Sequence, residues 1–382
     1  MKTLLYVGNF DTIENAQEQR NFAPSAANKM RYICSAANRI GWAVKIVSPS
    51  GTKGKRICKG KTVELDQHLF LKLFYSFAMR SKFERVLRVL FLRLQLFVYL
   101  LMRTKKDQPV LVYHSLSYIG IIKLLKRIKK FRLILEVEEI YADVTGKSAD
   151  RSKEYSLFSM ADSYLFSTEL LNEKINKLGK PAAIVYGTYQ TEKKRNNKLF
   201  EGDGRIHCVY AGTLDPRKGG AQAAIQAAAY LPKSYCVHIL GFGSAEQRMQ
   251  IEKLIKQVNA LQKAEVTFNG LLLGDDYFRF LQSCEVGMST QIPDAAFQDT
   301  SFPSKVLSYL SNGLSVVSVR LSVLERSKIN GLLTYYDENS PETIANAVLH
   351  VDFRKTYDCK RCIDKLDQSF CTDFQRILLE TR

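Results

Sequence analysis

The sequence predicts an α/β protein made of two doubly wound, mostly parallel sheets. Three observations predict it. Strand-like apolar runs alternate with helical segments along the whole of the 382 residues. A polar, turn-rich stretch, "QTEKKRNNKLFEGDG" (190–204), breaks the series near its middle. Several strand-like runs end in glycine or a small polar residue, and doubly wound sheets bind ligands at that end of their strands.

The elements follow in order. "TLLYVG" (3–8) reads as a first strand that closes in a glycine turn, and a helix is expected near 24–40. Further strands are "WAVKIVS" (42–48), "VLVYH" (110–114), "RLILEVEE" (132–139), "SYLFS" (163–167) and "AAIVY" (182–186). These make a first domain over 1–189, with 190–204 as linker. A second series over 205–364 comprises "IHCVYAG", "YCVHILG", "AEVTFNG", "CEVGMS", "LSVVSV" and "LLTYY". Within it "SFPSKVLSYLSNG" (301–313) predicts a helix. Pro303 suits its first turn, Val306, Leu307 and Leu310 share a face, and Gly313 can close the end.

The formal charge of +18 favours polyanions as partners, namely nucleic acid, acidic lipid or phosphorylated substrates, over a merely soluble basic protein. It is concentrated in 69–106, where Lys82, Arg85 and Arg88 interleave with Phe83, Val86, Leu87, Leu90 and Phe91, and in "IIKLLKRIKKFR" (121–132). Basic amphipathic helices of this kind settle on anionic membranes; the other reading of the stretch is a core helix pair with solvated basic faces. Aromatic-basic nucleic-acid modules do not appear, so nucleic acid is not an expected partner. The longest charge-free apolar run of that region, 94–102, is far short of the ~20 residues of a membrane span. "MKTLLYVGNF" reads as a strand rather than a signal peptide. Eight scattered cysteines suggest free thiols in a reducing cytosol. Cys359 and Cys362 form a lone CxxC without the second pair that a structural zinc site needs.

Three loops of the second series look suited to an anion. "AGTLDPRKGG" (211–220) places Gly212 where a ligand can approach closely and brings Arg217 and Lys218 to a helix start. "LGFGSAE" (240–246) is a second glycine loop. The 301–313 helix opens with Ser301, Ser304 and Lys305, a hydroxyl and ammonium set beside unpaired N–H groups. A pyrophosphate where these loops meet would be neutralised by Lys218 and Lys305, with Arg217 beside them.

The ordered set "YAGTLDPRKGG", "VHILGFGS", "VTFNGLL" and "SFPSKVLSYLSNGLSVVS" resembles the family 4-like glycosyltransferases (glycosyl transferases group 1, bacterial polysaccharide type), most strongly over about 205–350. The resemblance implies a GT-B fold, two Rossmann-like domains facing across a cleft, with segment 365–382 crossing back to the first. It implies a retaining transferase that takes a nucleotide-sugar, UDP-sugar before GDP-sugar, held mainly by the second domain. The pyrophosphate would meet Lys218 and the amides near Ser304 and Lys305. The base would lie near Gly241–Phe242 and Gly270–Leu271. Gly8 and Asn9 match the loop facing the transferred sugar. Glu138 falls where the family often has histidine, and Glu139 follows. Glu138 is the first candidate for base or sugar-orienting group, with Lys218 on the leaving group. Phe10 and His114 belong to the acceptor side. Three positions depart from the family: Thr213 stands in place of an arginine, and Thr300 and Ser308 in place of paired glutamates. No Asp-x-Asp pair offers a metal site, so no metal or other cofactor is expected. The expected acceptor is lipid-linked or another glycan, in cell-surface polysaccharide synthesis. The expected location is cytoplasmic, on the inner membrane face. The alternative is a catalytically silent GT-B protein serving as a membrane-bound subunit or scaffold.

Overall fold

The computed structural model describes residues 2–54, 56–79, 81–145, 148–291, 301–353 and 356–380. The chain divides into two compact units, residues 1–188 with 369–382 and residues 189–368.

In the first unit, strands β1 (Lys2–Val7), β2 (Trp42–Ser48), β3 (Lys61–Asp66), β4 (Leu69–Leu73), β5 (Pro109–Tyr113), β6 (Arg132–Val137), β7 (Ser163–Phe166) and β8 (Ala182–Ile184) form one sheet in the order β3-β4-β2-β1-β5-β6-β7-β8. All pairs are parallel except β3–β4, a hairpin turning at Gln67–His68. That hairpin was not legible in the sequence. β3 is mostly exposed, charged and lacks the apolar run of a buried strand. The strand order reverses between β1 and β5, which sets the carboxyl ends of these strands at a switch point. Leu4, Val110, Val112, Leu133 and Leu135, all fully buried, fill the sheet interior.

The basic apolar stretch resolves into β4 and the helix Lys82–Arg103. Ser81 caps that helix, accepting from the Glu84 amide, and the Glu84 carboxylate accepts in return from the Ser81 amide. A narrow strip, Arg88, Leu92, Leu96 and Leu100, faces the core. Arg88 is one of the basic residues interleaved with the apolar ones. It points inward and donates to the Thr52 carbonyl. The opposite face leaves Phe83, Val86, Leu87, Leu90, Leu94 and Met102 exposed, with Lys82, Arg85, Arg93 and Arg103 among them. The neighbouring helix Ile119–Lys129 adds exposed Leu124 and Ile128 but buries Lys126 against Asp162.

In the second unit, β9 (Ile206–Thr213), β10 (Tyr235–Phe242), β11 (Glu265–Gly270), β12 (Val286–Ser289), β13 (Ser315–Val319) and β14 (Leu333–Tyr336) run parallel in the order β11-β10-β9-β12-β13-β14. This is the Rossmann order, with its switch point between β9 and β12. The 301–313 segment folds as foreseen, into the helix Ser304–Asn312 closed by Gly313 at φ 85°. Tyr309 fastens it to the sheet. Its ring is fully buried, a Cβ on Gly287 would lie 2.3 Å from it, and its hydroxyl accepts from the Ala211 amide at 2.8 Å. The helix is thus held over β9 and β12, at the switch point.

Candidate active site

Because Tyr309 is anchored, Lys305, one turn earlier on the same face, is carried to the end of β9. Its Nζ lies 4.0 Å from the centroid of the Tyr210 ring, and a Cβ on Gly212 would come within 3.2 Å of it. The Tyr210 hydroxyl donates to the Thr213 carbonyl at 3.1 Å, which ties the ring to the strand end. Burial, and secondarily the charge of Lys218, push the Lys305 ammonium down to about 7. Among the described residues no carboxylate pairs with Lys305 or Lys218. Pro303, at the start of the 304–312 helix, supplies no side-chain cap to its first amides. Two ammonium groups, a helix start and a glycine surface therefore converge, and among the described residues neither ammonium is ion-paired, although the Lys218 charge also acts on Asp215. Chemically, that is a seat for a multiply charged phosphate.

The flanking residues define its edges. Gly241 opposes Gly212 in the β9–β10 register so closely that a Cβ on Gly241 would lie 2.0 Å from the Gly212 carbonyl oxygen. Gly220 opens the next helix against Thr290, whose hydroxyl donates to its carbonyl at 2.7 Å. Phe242 and Leu271 stand exposed at the ends of β10 and β11, and Gly270 turns there at φ 71°. Arg217 is turned outward and held by Asp215, with contacts of 2.6–3.1 Å. The Thr213 hydroxyl accepts from the Asp215 amide. The Ser308 hydroxyl lies 3.3 Å from that of Tyr277, Ser301 is half-buried and Ser304 exposed. Thr300 lies outside the described residues.

The first unit carries a carboxylate cluster after β6. Glu138 lies 2.6 Å from the Lys29 ammonium, on the helix Pro24–Arg39. Two residues earlier, Glu136 is fully buried and accepts from the Tyr6 hydroxyl. Burial and then the Glu138 charge raise its carboxyl to about 8. The same two causes, in the same order, raise Glu139. Gly8 sits where a Cβ would meet Met30 at 2.7 Å, so the β1 turn passes tight against the 24–39 helix. Asn9 follows half-buried, and Phe10 is sealed, exchanging hydrogen bonds with the Ser48 hydroxyl. His114 is only 1% exposed. It lies between the rings of Tyr141 and Phe158, with Nε2 3.4 Å from Glu154. Burial lowers it to about 4, so it is a neutral packing group at pH 7.

Sequence reasoning missed Tyr210, Tyr309, Glu136, Lys29 and Tyr6. Glu136 had one available signal: an acid inside the apolar run "RLILEVEE" demands a buried partner.

No family profile matches the chain, and no curated protein does. Solved structures do match in fold. The E. coli trehalose-6-phosphate protein bound with UDP-2-fluoro glucose is 12% identical, with 99% of this chain and 98% of that chain covered at a TM-score of 0.68. The sucrose-phosphate synthase of Thermosynechococcus elongatus is 13% identical, with 97% and 95% covered at 0.65. Anabaena Alr3699/HepE in complex with UDP is 16% identical, with 99% and 98% covered at 0.63. At these identities the likeness is one of architecture: the chain has the GT-B fold.

Proposed function

We propose that the protein is a glycosyltransferase that takes its sugar from a nucleoside diphosphate donor, UDP-sugar foremost. The carrying observation is the pair Lys218 and Lys305 at the β9–β12 switch point, one cation depressed by burial and by the other, and neither in an ion pair among the described residues. That solved proteins of the same fold hold UDP or a UDP-sugar analogue makes UDP the first ligand to test. Breaking the anomeric bond puts negative charge on the departing diphosphate. Preorganised ammonium groups and helix amides stabilise that charge more in the transition state than in the ground state. Such a site needs no metal, and we assign transfer with retention. Glu138 and Glu139 are the carboxyl groups assigned to the sugar side, with Lys29 holding Glu138 in place.

The test is a thermal-shift panel of UDP, GDP, ADP and CMP, followed by UDP release from UDP-sugars. UDP at a hundredfold excess over Kd is expected to stabilise the protein by about 2.7 kcal/mol. No stabilisation by any of the four at millimolar concentration would sink the reading.

The proposal extends to where the acceptor is met. The outer face of the 82–103 helix joins exposed Phe83, Leu90 and Leu94 to basic side chains, the chemistry of a helix lying on anionic lipid. No helix among the described residues is long and apolar enough to cross a membrane. We therefore place the protein at the inner face of the membrane, acting on a lipid-linked or other glycan acceptor of cell-surface polysaccharide synthesis. Anionic vesicles are expected to pellet the protein and neutral ones not. Replacing Phe83, Leu90 and Leu94 by serine, all on the exposed face, should abolish pelleting without altering Tm. Equal, negligible pelleting with both vesicle types removes this part of the proposal.

A further inference from the structure

At the amino ends of β9 and β10, opposite the candidate active site on the same sheet, lies a second polar cluster. His207 on β9 stands in register with Cys236 on β10, and His238 follows Cys236 by two residues. Strand side chains alternate, so all three project from one face of the sheet. They are 1%, 1% and 4% exposed respectively. One ring nitrogen of each histidine and the Cys236 sulfur lie within 4.8 Å of one another. His207 Nδ1 and His238 Nε2 face each other at 2.8 Å, with the two rings nearly coplanar and Phe200 stacked over both. The outer nitrogens are already held: His207 Nε2 lies 3.0 Å from Asp203, and His238 Nδ1 lies 2.8 Å from Thr267 Oγ1.

From this we infer that His207, His238 and Cys236 form a site for a zinc-class divalent transition metal. Two imidazoles and a thiolate are the donor set that such an ion takes in preference to calcium or magnesium. Oxygen partners behind both imidazoles are the usual means of turning the inner nitrogens toward a metal. Two Zn–N bonds of about 2.0–2.1 Å at a tetrahedral angle need their nitrogens about 3.3–3.4 Å apart. The rings therefore part by roughly half an ångström on binding. Glu265, whose carboxylate is 4.0 Å from the Cys236 sulfur, or a water completes the set. Arg205 bridges Asp203 and Glu265 and balances the acidic rim, while the partly exposed side chains of both acids give the ion its way in. An ion here joins β9, β10 and, through Asp203, the incoming 200–205 segment. Its role is structural, and it does not depend on the glycosyl-transfer reading.

The test uses the full chain dialysed against a chelator. Zn2+ is expected to bind at one ion per chain and to raise Tm. Co2+ is expected to give a thiolate-to-cobalt charge-transfer band. Cys236→Ser and His238→Gln should each lose the band and weaken Zn2+ binding at least tenfold. Asp203→Asn should weaken it by about 10–100-fold. Cys362→Ser, on another element, should change nothing. UDP-induced stabilisation should be the same with and without zinc. Absence of bound Zn2+ and of the cobalt band overturns the inference, as does binding that survives in both Cys236→Ser and His238→Gln. The cluster is then a hydrogen-bond chain running from Asp203 through the two imidazoles to Thr267.

Discussion

Lys305→Met is expected to lower turnover about 10²–10³-fold and to remove most UDP-induced stabilisation, because a transition-state donor of this kind contributes about 2.7–4 kcal/mol. Methionine is an unbranched side chain of similar length, so the change removes the charge beside Tyr210 and Gly212 with little change of volume. The free protein should behave oppositely. Lys305 sits at about 7 against the ordinary lysine value of 10.5. Between these limits the unfolded chain binds more protons than the folded one. Stability contributed at this position is therefore fully present above pH 10.5 and is lost as the pH falls toward 7. In Lys305→Met that slope disappears, and the ligand-free variant is at least as stable as the wild type at pH 7. A bound diphosphate restores the ammonium, so UDP binding at pH 8 should take up protons. Titration calorimetry in buffers of different ionisation enthalpy reads this directly. UDP affinity unchanged in the variant would show that the diphosphate binds elsewhere.

Gly241→Ala is expected to destabilise the second unit by more than about 3 kcal/mol, beyond the usual range for overpacking. The new methyl would lie 2.0 Å from the Gly212 carbonyl oxygen, so two paired backbones must separate, and no side chain can rotate to relieve the contact. For a unit of this size the fall in Tm is about 6–12 °C or more. Gly212 also borders Lys305, so UDP binding should fall in the same variant. Gly120→Ala is the control. Its Cβ would meet nothing within 4 Å, and it lies in the helix Ile119–Lys129. That substitution should leave stability unchanged or raise it by about 0.5–1 kcal/mol. Differential scanning calorimetry separates the two, and equal Tm values would refute the packing argument.

Local periodicity carried much of the fold. The runs at 42–48, 132–137, 235–241 and 314–319 are predominantly apolar, and each became a largely buried parallel strand. Pro303 and Gly313 likewise bracketed their helix with local chemistry alone. The charged β3 was missed because it is an edge strand with little apolar signal of its own. The inward direction of Arg88 was not legible, because interleaved Arg and Leu have the same pattern whether a given arginine faces water or a carbonyl. The contact that decides its direction is with Thr52, 36 residues away.

Read alone, the sequence determined the alternation of strands and helices, the glycine-ended strands and the presence of Lys218 and Lys305 beside them, since each is a property of a few adjacent residues. Only the tertiary structure decided which groups share a space. Lys305 reaches Tyr210 because Tyr309 fastens its helix to Ala211, Glu136 meets Tyr6 across 130 residues, and His207 meets His238 through the β9–β10 register. Such meetings depend on strand order and on a register in which one residue's slip would reverse every face, and neither is written in any local stretch of chain.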